Sequence, residues 1–466
     1  MGTNYVVMRF LHNCFIVVFG ALLAVRSLVS GKSDSVDGGK KIAVVYAGRT
    51  YHEEVTASMT CLLHEIGFHV VVYIENGLTW SGMTIPFTEK RIYSSRAFYG
   101  HCVDEFVTIN SNMRIVDRPA VLLFVTYPMM NYGRSNGKDT YSFELLNRMD
   151  RSGTELMLVT HHTEHFWIQA EELSKYFHAN HTTFLFLAKH VQESAANLLR
   201  QHPYLPRFRT NYVFPVFKLD KVIGSEAVYT ANNSWISIPE IVTFSIQGNF
   251  GGKHAHRKDL RGITTCLNVF GTELKQPNAT QQYIHAAVQK QNPPQRTRRR
   301  YFRHRTHMSN RGGNSSSSAL PALRLDLVGH LESGALNAIS PAHFKLTTSG
   351  GVTHPQFYTR LSQSKYLMTA LGSDAYSHTQ ATSTVPAAVI TYVPLLTTGA
   401  FLQLYPCLRD QPMLQRINGA SECESIRNAY ALSDADYAHA RREMEVCHEI
   451  LWTEGLERLK NIVNKE

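Results

Sequence analysis

The run Lys41-Ile-Ala-Val-Val-Tyr46, a helical pattern of apolar side chains over residues 51 to 66, and the run Phe68-His-Val-Val-Val-Tyr-Ile74 decide the architecture of this chain. Both apolar runs are continuous rather than alternating, as expected of strands covered on both faces. Strand, helix and strand joined by short links form the βαβ unit of a parallel sheet. The pattern recurs at Ala120 to Thr126, at Glu155 to Thr160 before a helix near His165, and at Thr182 to Leu187 before a helix from His190 to about Gln201. The first half therefore reads as a doubly wound α/β domain over 41–215.

A Pro-punctuated stretch from Tyr204 to Phe217 and a polar tract to Pro239 mark a crossing, with 216–239 as linker. A second α/β domain over 240–420 opens with Ile241-Val-Thr-Phe-Ser-Ile246, followed by a helix from Asp259 to Phe270 and strands at Leu323 to Val328 and Tyr366 to Thr369. A helix from about Thr379 to Ile390 and a strand Tyr392 to Leu396 end its repeats, and 421–466 carries helical patterns. Two Rossmann-like halves facing one another across a cleft, closed by C-terminal helices, are the expected fold.

At 466 residues and 44% apolar content the chain is long and apolar enough for two such cores. The apolar stretch Cys14 to Val25 within residues 1–30 reads as a signal peptide or signal anchor, which leaves the rest lumenal or extracellular. Sequons at Asn180, Asn232, Asn278 and Asn314 are consistent with that route. Of seven cysteines, one lies in the signal and six are free to pair, Cys407 with Cys423 or Cys447 among them. No C-x-x-C pair is present, so no metal site is expected. The net charge of +10 is concentrated between Arg296 and Arg311 inside a Gly, Ser and Asn-rich insertion at 275–320, read as a solvated surface loop. A polyanion-binding role for that loop is the competing reading, and no specific nucleic acid is expected.

Four turns can carry chemistry, since ligands of open parallel sheets sit beyond the carboxyl ends of strands. Gly48 ends the first strand, either as a simple tight turn or as an approach for an acceptor. Thr160-His161-His162-Thr-Glu164-His165 offers an imidazole, His161 or His162, to take a proton from an acceptor hydroxyl, or else a helix cap and a packing residue. Ser245-Ile-Gln-Gly248-Asn249-Phe-Gly-Gly252, with Arg257 and Lys258 following, has the glycines and cations a diphosphate requires, unless the two basic residues are ordinary surface ones. Gly372-Ser-Asp374 and Thr382-Ser383-Thr384 place an acid and small hydroxyls at a helix start, where capping and phosphate binding use the same groups.

In order and spacing these last two motifs, with Val393-Pro-Leu-Leu396 behind them, resemble the donor half of GT-B glycosyltransferases, particularly the glycosyltransferase-family-1-like proteins of fungi. The resemblance spans about 41 to 460, and the insertion has no counterpart in it. It implies a nucleotide-diphosphate sugar as co-substrate, held by Gly248, Asn249, Arg257 or Lys258, Ser383 and Thr384. It further implies an acceptor (glycan, protein or lipid) on the N-terminal side near Gly48, and His161, His162 or Asp374 as catalytic groups. Ala387 and Thr379 stand where retaining members carry two glutamates, and Asn249 replaces a motif arginine. The expectation is thus a metal-independent glycosyltransferase of the secretory pathway without a further cofactor, and the alternative is a silent binding protein of the same architecture.

Overall fold

The computed structural model describes residues 40–48, 52–75, 79–80, 83–84, 88–109, 116, 118–125, 153–163, 179–205, 207–223, 241–250, 258–276, 322–331, 339–350 and 352–464. The expected signal segment, most of the linker and of the insertion, Glu164, His165 and Arg257 lie outside the described residues, and so does the Asn249 side chain. From Ile42 onward the chain forms one compact unit.

The first sheet contains β1 (Ile42–Gly48), β2 (His69–Glu75), β5 (Glu105–Ile109), β6 (Val121–Phe124), β7 (Glu155–Thr160), β8 (Thr182–Phe186) and β9 (Arg209–Tyr212) in the order β5-β2-β1-β6-β7-β8-β9. A short hairpin, β3 (Thr79–Trp80) with β4 (Met83–Thr84), stands apart from it. Every pairing in the large sheet is parallel. Helices α1 (Glu53–Ile66), α2 (Thr88–Tyr99) and α3 (Lys189–Gln201) make the described connections. Residues Val70 to Ile74 and Val121 to Phe124 are buried on both faces, which is why these strands read as unbroken apolar runs.

After α4 (Asp220–Ile223), the second sheet is built from β10 (Ile241–Phe250), β11 (Ala322–Leu331), β12 (Lys345–Ser349), β13 (Tyr366–Met368) and β14 (Leu395–Leu396). Its order is β12-β11-β10-β13-β14, again all parallel. Its helices are α5 (Leu260–Leu274), α6 (His354–Ser362), α7 (Ala375–His378) and α8 (Thr384–Thr391). In each sheet the first strand lies inside and the winding reverses beside it, between β1 and β6 and between β10 and β13. In open α/β sheets ligands bind beyond the carboxyl ends of the strands at such reversals, so these are the crevices where a site is to be sought.

The expected Gly-rich turn at 245–252 is corrected: β10 continues in register with β11 as far as Phe250 opposite Leu331, so Gly248 and Asn249 are strand residues. The expected helix from Thr379 is corrected as well. Helix α7 stops at His378, and α8 begins only at Thr384, leaving 379–383 free to meet the first half.

Short helices α9 (Gly399–Leu402), α10 (Pro406–Arg409) and α11 (Pro412–Ile417) lead to α12 (Glu422–Tyr430) and to the 30-residue α13 (Asp434–Val463). At 1.5 Å per residue α13 is about 45 Å long, enough to return to the first half. Near its start Arg441 donates to the Thr391 carbonyl (3.3 Å), and further on His448 Nε2 meets the Phe217 carbonyl (3.0 Å). The Arg458 guanidinium then lies 3.9 Å over the Tyr212 ring and donates to its hydroxyl (2.9 Å).

Disulfides Cys61–Cys102, Cys266–Cys423 and Cys407–Cys447 pair all the cysteines beyond Cys14, with Cα separations of 4.8, 5.3 and 5.6 Å. Of the two partners open to Cys407, the fold takes Cys447.

Candidate functional site

The second crevice is assembled around Lys258. Its backbone bridges Leu371, and the next amide, Asp259 N–H, donates to the Ala370 carbonyl (2.9 Å). Asp259 then caps α5 by accepting from Gly262 N–H (2.8 Å). So fixed, the Lys258 amine donates to the Thr369 carbonyl (2.9 Å) and to Thr384 Oγ1 (3.3 Å). Burial lowers its pKa from 10.5 to about 8, and the Glu422 carboxylate opposes that fall. Gly248 leaves the lysine stem its room, since a Cβ there would sit 3.3 Å from Lys258 Cε.

Helix α8 supplies the opposite wall. Ser383 is its N-cap residue, yet its hydroxyl makes no capping bond; it accepts instead from Gln247 Nε2 (3.0 Å), while Thr384 N–H donates to Thr382 Oγ1 (3.3 Å). The first turn of a helix carries the positive end of the dipole; in α8 the Thr384 amide is already bonded and Pro386 has none to offer. Gly248, Lys258, Ser383 and Thr384 therefore converge where a cation, a helix N-terminus and hydroxyls meet, a combination suited to an anionic, oxygen-rich group.

The first half reaches the same place through the end of β7. Thr163 N–H donates to the Thr379 carbonyl (2.9 Å), Ala381 N–H to the His161 carbonyl (3.4 Å), and His162 bridges Gln380. The two histidines thus lie beside the segment that runs into Ser383. His161 Nε2 is 3.2 Å from the Val125 carbonyl; because a carbonyl only accepts, the ring proton sits on Nε2 and the lone pair on Nδ1. Burial, opposed by that bond, lowers the His161 pKa to about 4. His162 is exposed.

Sequence reasoning missed His52, four residues beyond β1 at the N-cap position of α1. Its ring stacks on His161 with centroids 3.6 Å apart, and burial followed by the two neighbouring histidines pushes its pKa well below 6.5. No motif marks such a residue, since its partner comes from a strand over 100 positions later. Gln247, Thr369 and Glu422 were missed for the same reason. Asp374 is exposed just before α7, and its carbonyl accepts from Ser377 N–H (2.9 Å). Gly48 ends β1 past a register shift, opposite Ile74. Ala387 is buried in α8, and Thr379 Oγ1 turns to the Ala375 carbonyl (3.4 Å).

Among the described residues, ligand atoms of Cys61, His101 and Cys102 lie within 4.8 Å of one another. The two sulfurs are joined in a disulfide, so neither is the thiolate a metal would need. Also among the described residues, no helix is long and apolar enough to cross a membrane.

No protein-family model matches the sequence, and no curated protein matches it by sequence. Solved structures do match in shape. An α-glucosyltransferase in complex with UDP-glucose and DNA containing an abasic site superposes with a TM-score of 0.53 at 9% identity, over 92% of this chain and 100% of that one. An α-glucosyltransferase in complex with UDP and a 13-mer DNA gives 0.50 at 10% identity with the same coverage. A glycosyltransferase from Rickettsia africae gives 0.47 at 8% identity, over 92% and 100% of the two chains. Two parallel, doubly wound halves with a final helix returning across them, and the likeness to the two α-glucosyltransferases over nearly the whole chain, identify the fold as GT-B.

Proposed function

We propose that the chain is a glycosyltransferase that moves a sugar from a nucleotide-diphosphate donor to a hydroxyl-bearing acceptor. The observation that carries this reading is the Lys258 amine, held 3.3 Å from Thr384 Oγ1 at the N-terminus of α8 and beside Gly248. A diphosphate seated there would meet a cation, the positive end of the α8 dipole and the Ser383 and Thr384 hydroxyls, all oriented before it arrives. The negative charge that builds on a departing nucleoside diphosphate is what such an arrangement stabilises. Arg257 and Asn249 would add to the same site, and no protein-bound metal enters this reading. His161 and His162, with His52 behind them, are the candidate acceptors of the hydroxyl proton, and the acceptor would enter past Gly48. Binding of UDP or UDP-glucose by the similarly shaped α-glucosyltransferases supports a donor of this class.

Three disulfides support a lumenal or extracellular location, reached through a signal peptide or signal anchor at the N-terminus. Kinship with the fungal family-1-like proteins rests on the sequence motifs. The purified protein is to be screened by thermal shift against common nucleotide sugars, and then assayed for release of nucleoside diphosphate. A donor that raises the Tm and is consumed supports the enzyme; the absence of any stabilising nucleotide sinks the reading.

A silent binding protein is the second reading, favoured by the buried methyl of Ala387 where retaining relatives carry a carboxylate. It predicts a stabilising donor with no release in the presence of any acceptor.

A further inference from the structure

Glu422 belongs to no motif and lies far from every glycine-rich segment of the sequence, yet it stands beneath the crevice. It is the first residue of α12, whose N-cap is Ser421. Its Oε1 accepts from Thr369 Oγ1 (3.1 Å), and the nearby amides of Ala370 and Leu371 favour its charged form. Ala370 is one of three non-glycine residues with positive φ among the described residues, at 47°. The turn Thr369-Ala370-Leu371 thus places one left-handed residue beside the Glu422 carboxylate, a conformation that persists only where its surroundings hold it. That same turn receives Lys258 at every point: the Thr369 carbonyl takes its amine, Leu371 bridges its backbone, and the Ala370 carbonyl takes the next amide.

We propose that Glu422 is a positioning residue for Lys258, holding the 369–371 turn that seats the lysine and keeping the amine cationic for a diphosphate. The inference rests on reading the crevice as a diphosphate site, and it adds a residue outside the motifs that suggested that site. Helix α12 is itself locked to α5, the helix that begins just after Lys258. The Cys266–Cys423 disulfide joins the two, and Arg427 pairs with Glu273 at 2.9 and 3.3 Å. An edge-to-face contact between Phe270 and Tyr430 (5.0 Å) completes the clamp. The carboxylate at the start of α12 and the amine just ahead of α5 are therefore tied together through two cross-linked helices. The charged groups facing one another here are Lys258, Glu422 from α12 and Asp259 at the start of α5. Burial lowers the Lys258 pKa and the Glu422 carboxylate opposes that fall; burial likewise raises the Glu422 pKa, and the Thr369 hydroxyl opposes that rise.

The test uses the full chain labelled with carbon-13 at lysine Cε, with the Lys258 resonance assigned by its loss in Lys258→Arg. Lys258 in the native protein is expected to titrate at about pH 8. In Glu422→Gln, which keeps the size and much of the hydrogen bonding but not the charge, it titrates at lower pH. UDP affinity, measured by calorimetry, then falls about sixfold more between pH 6.5 and 8.5 in Glu422→Gln than in the native protein, as a downward shift of about one unit of pKa would give. A purely structural role for Glu422 would weaken binding equally at both pH values and leave the titration in place, and that result overturns the proposal. Should Glu422→Gln fail to fold, Glu422→Asp draws the charge back by one carbon and must move the titration in the same direction by less; an unmoved titration again overturns it. If the native protein binds neither UDP nor pyrophosphate, the diphosphate reading fails and this role fails with it. Native binding of UDP with an unmoved Lys258 titration in the variant removes the role alone.

Discussion

The His52 and His161 rings stack with their centroids 3.6 Å apart and their planes 26° from parallel, one carried by the start of α1 and the other by the end of β7. Two imidazoles shielded from water resist protonation; at His52 the neighbouring His161 and His162 add to the effect of burial, and at His161 it is His162 that does so. His161 falls to about 4 from an ordinary 6.5. A depressed pKa contributes stability that is complete above 6.5 and is lost as pH falls through 4. His161→Phe keeps the stack but cannot titrate, so it should shed this part of the acid destabilisation, about 2 to 3 kcal/mol. Calorimetric Tm values of native and variant protein between pH 4 and 7 check it, and parallel curves would show that the ring does not titrate as described.

Lys258 carries a stability cost at neutral pH. Its pKa of about 8 lies below the ordinary 10.5, so its contribution to stability is complete only above 10.5 and is lost as pH falls through 8. At pH 7 the buried charge is a net burden. Lys258→Met should therefore match or exceed the native Tm at pH 7 and yet lose the stabilisation by a nucleoside diphosphate, with affinity falling about tenfold to a hundredfold. A thermal-shift titration reads both effects. A variant that binds as well as the native protein would remove Lys258 from the site.

Much of the fold was legible because the parallel strands are buried on both faces and announce themselves as unbroken apolar runs; β1, β7 and β8 fall almost where the runs place them. Strands β5, β9 and β12 did not, because each lies at a sheet edge or carries polar residues such as Arg209 and Thr347, which weaken the pattern. Within the site, Gly248, Lys258, Ser383 and Thr384 were legible as motif residues, and the fold brings them together. His52, Gln247 and Glu422 were not, since what gives them a role is contact with residues 109, 136 and 53 positions away. Gly248 shows the limit from the other side. Its residue type signalled a close approach, but the approach is made by a strand pair and a lysine stem rather than by a loop.

Gly329 tests that strand pair. It lies opposite Gly248, both with φ near 140° (143° and 141°), and a Cβ on Gly329 would come 2.1 Å from the Gly248 carbonyl oxygen. Backbone must move to relieve such an overlap. Gly329→Ala is expected to cost about 3 kcal/mol or more, combining overpacking with a strained φ, and to weaken nucleotide binding by displacing Gly248. Gly67→Ala is the control: its φ of 102° is also positive, but nothing lies within 4 Å of the added Cβ, so it should cost about 1 kcal/mol and leave binding intact. Urea midpoints of the two variants decide the matter, and equal losses would mean that the close approach is absent.

Glu54 supplies a titration of opposite sign to His161, two residues from His52. It lies in the first turn of α1, facing Tyr358 of α6 in the other half. Burial raises its pKa to about 7 from 4.5, its own backbone amide opposes the rise, and Glu53 adds to it. A raised carboxyl pKa contributes stability that is complete below 4.5 and is lost as pH climbs through 7. Between about pH 4.5 and 6.5 the native protein therefore gains from His161 and loses at Glu54, and its Tm should change little there. Glu54→Gln removes the falling limb alone. Its Tm should rise steadily from pH 4.5 to 7, and it should exceed the native protein at pH 8 by about 2 kcal/mol, since an amide in this place needs no proton to stay neutral. Scanning calorimetry on both proteins at pH 4.5, 6 and 8 measures this directly. Variant and native Tm values that stay level across the series would show that Glu54 keeps an ordinary carboxylate between the two halves.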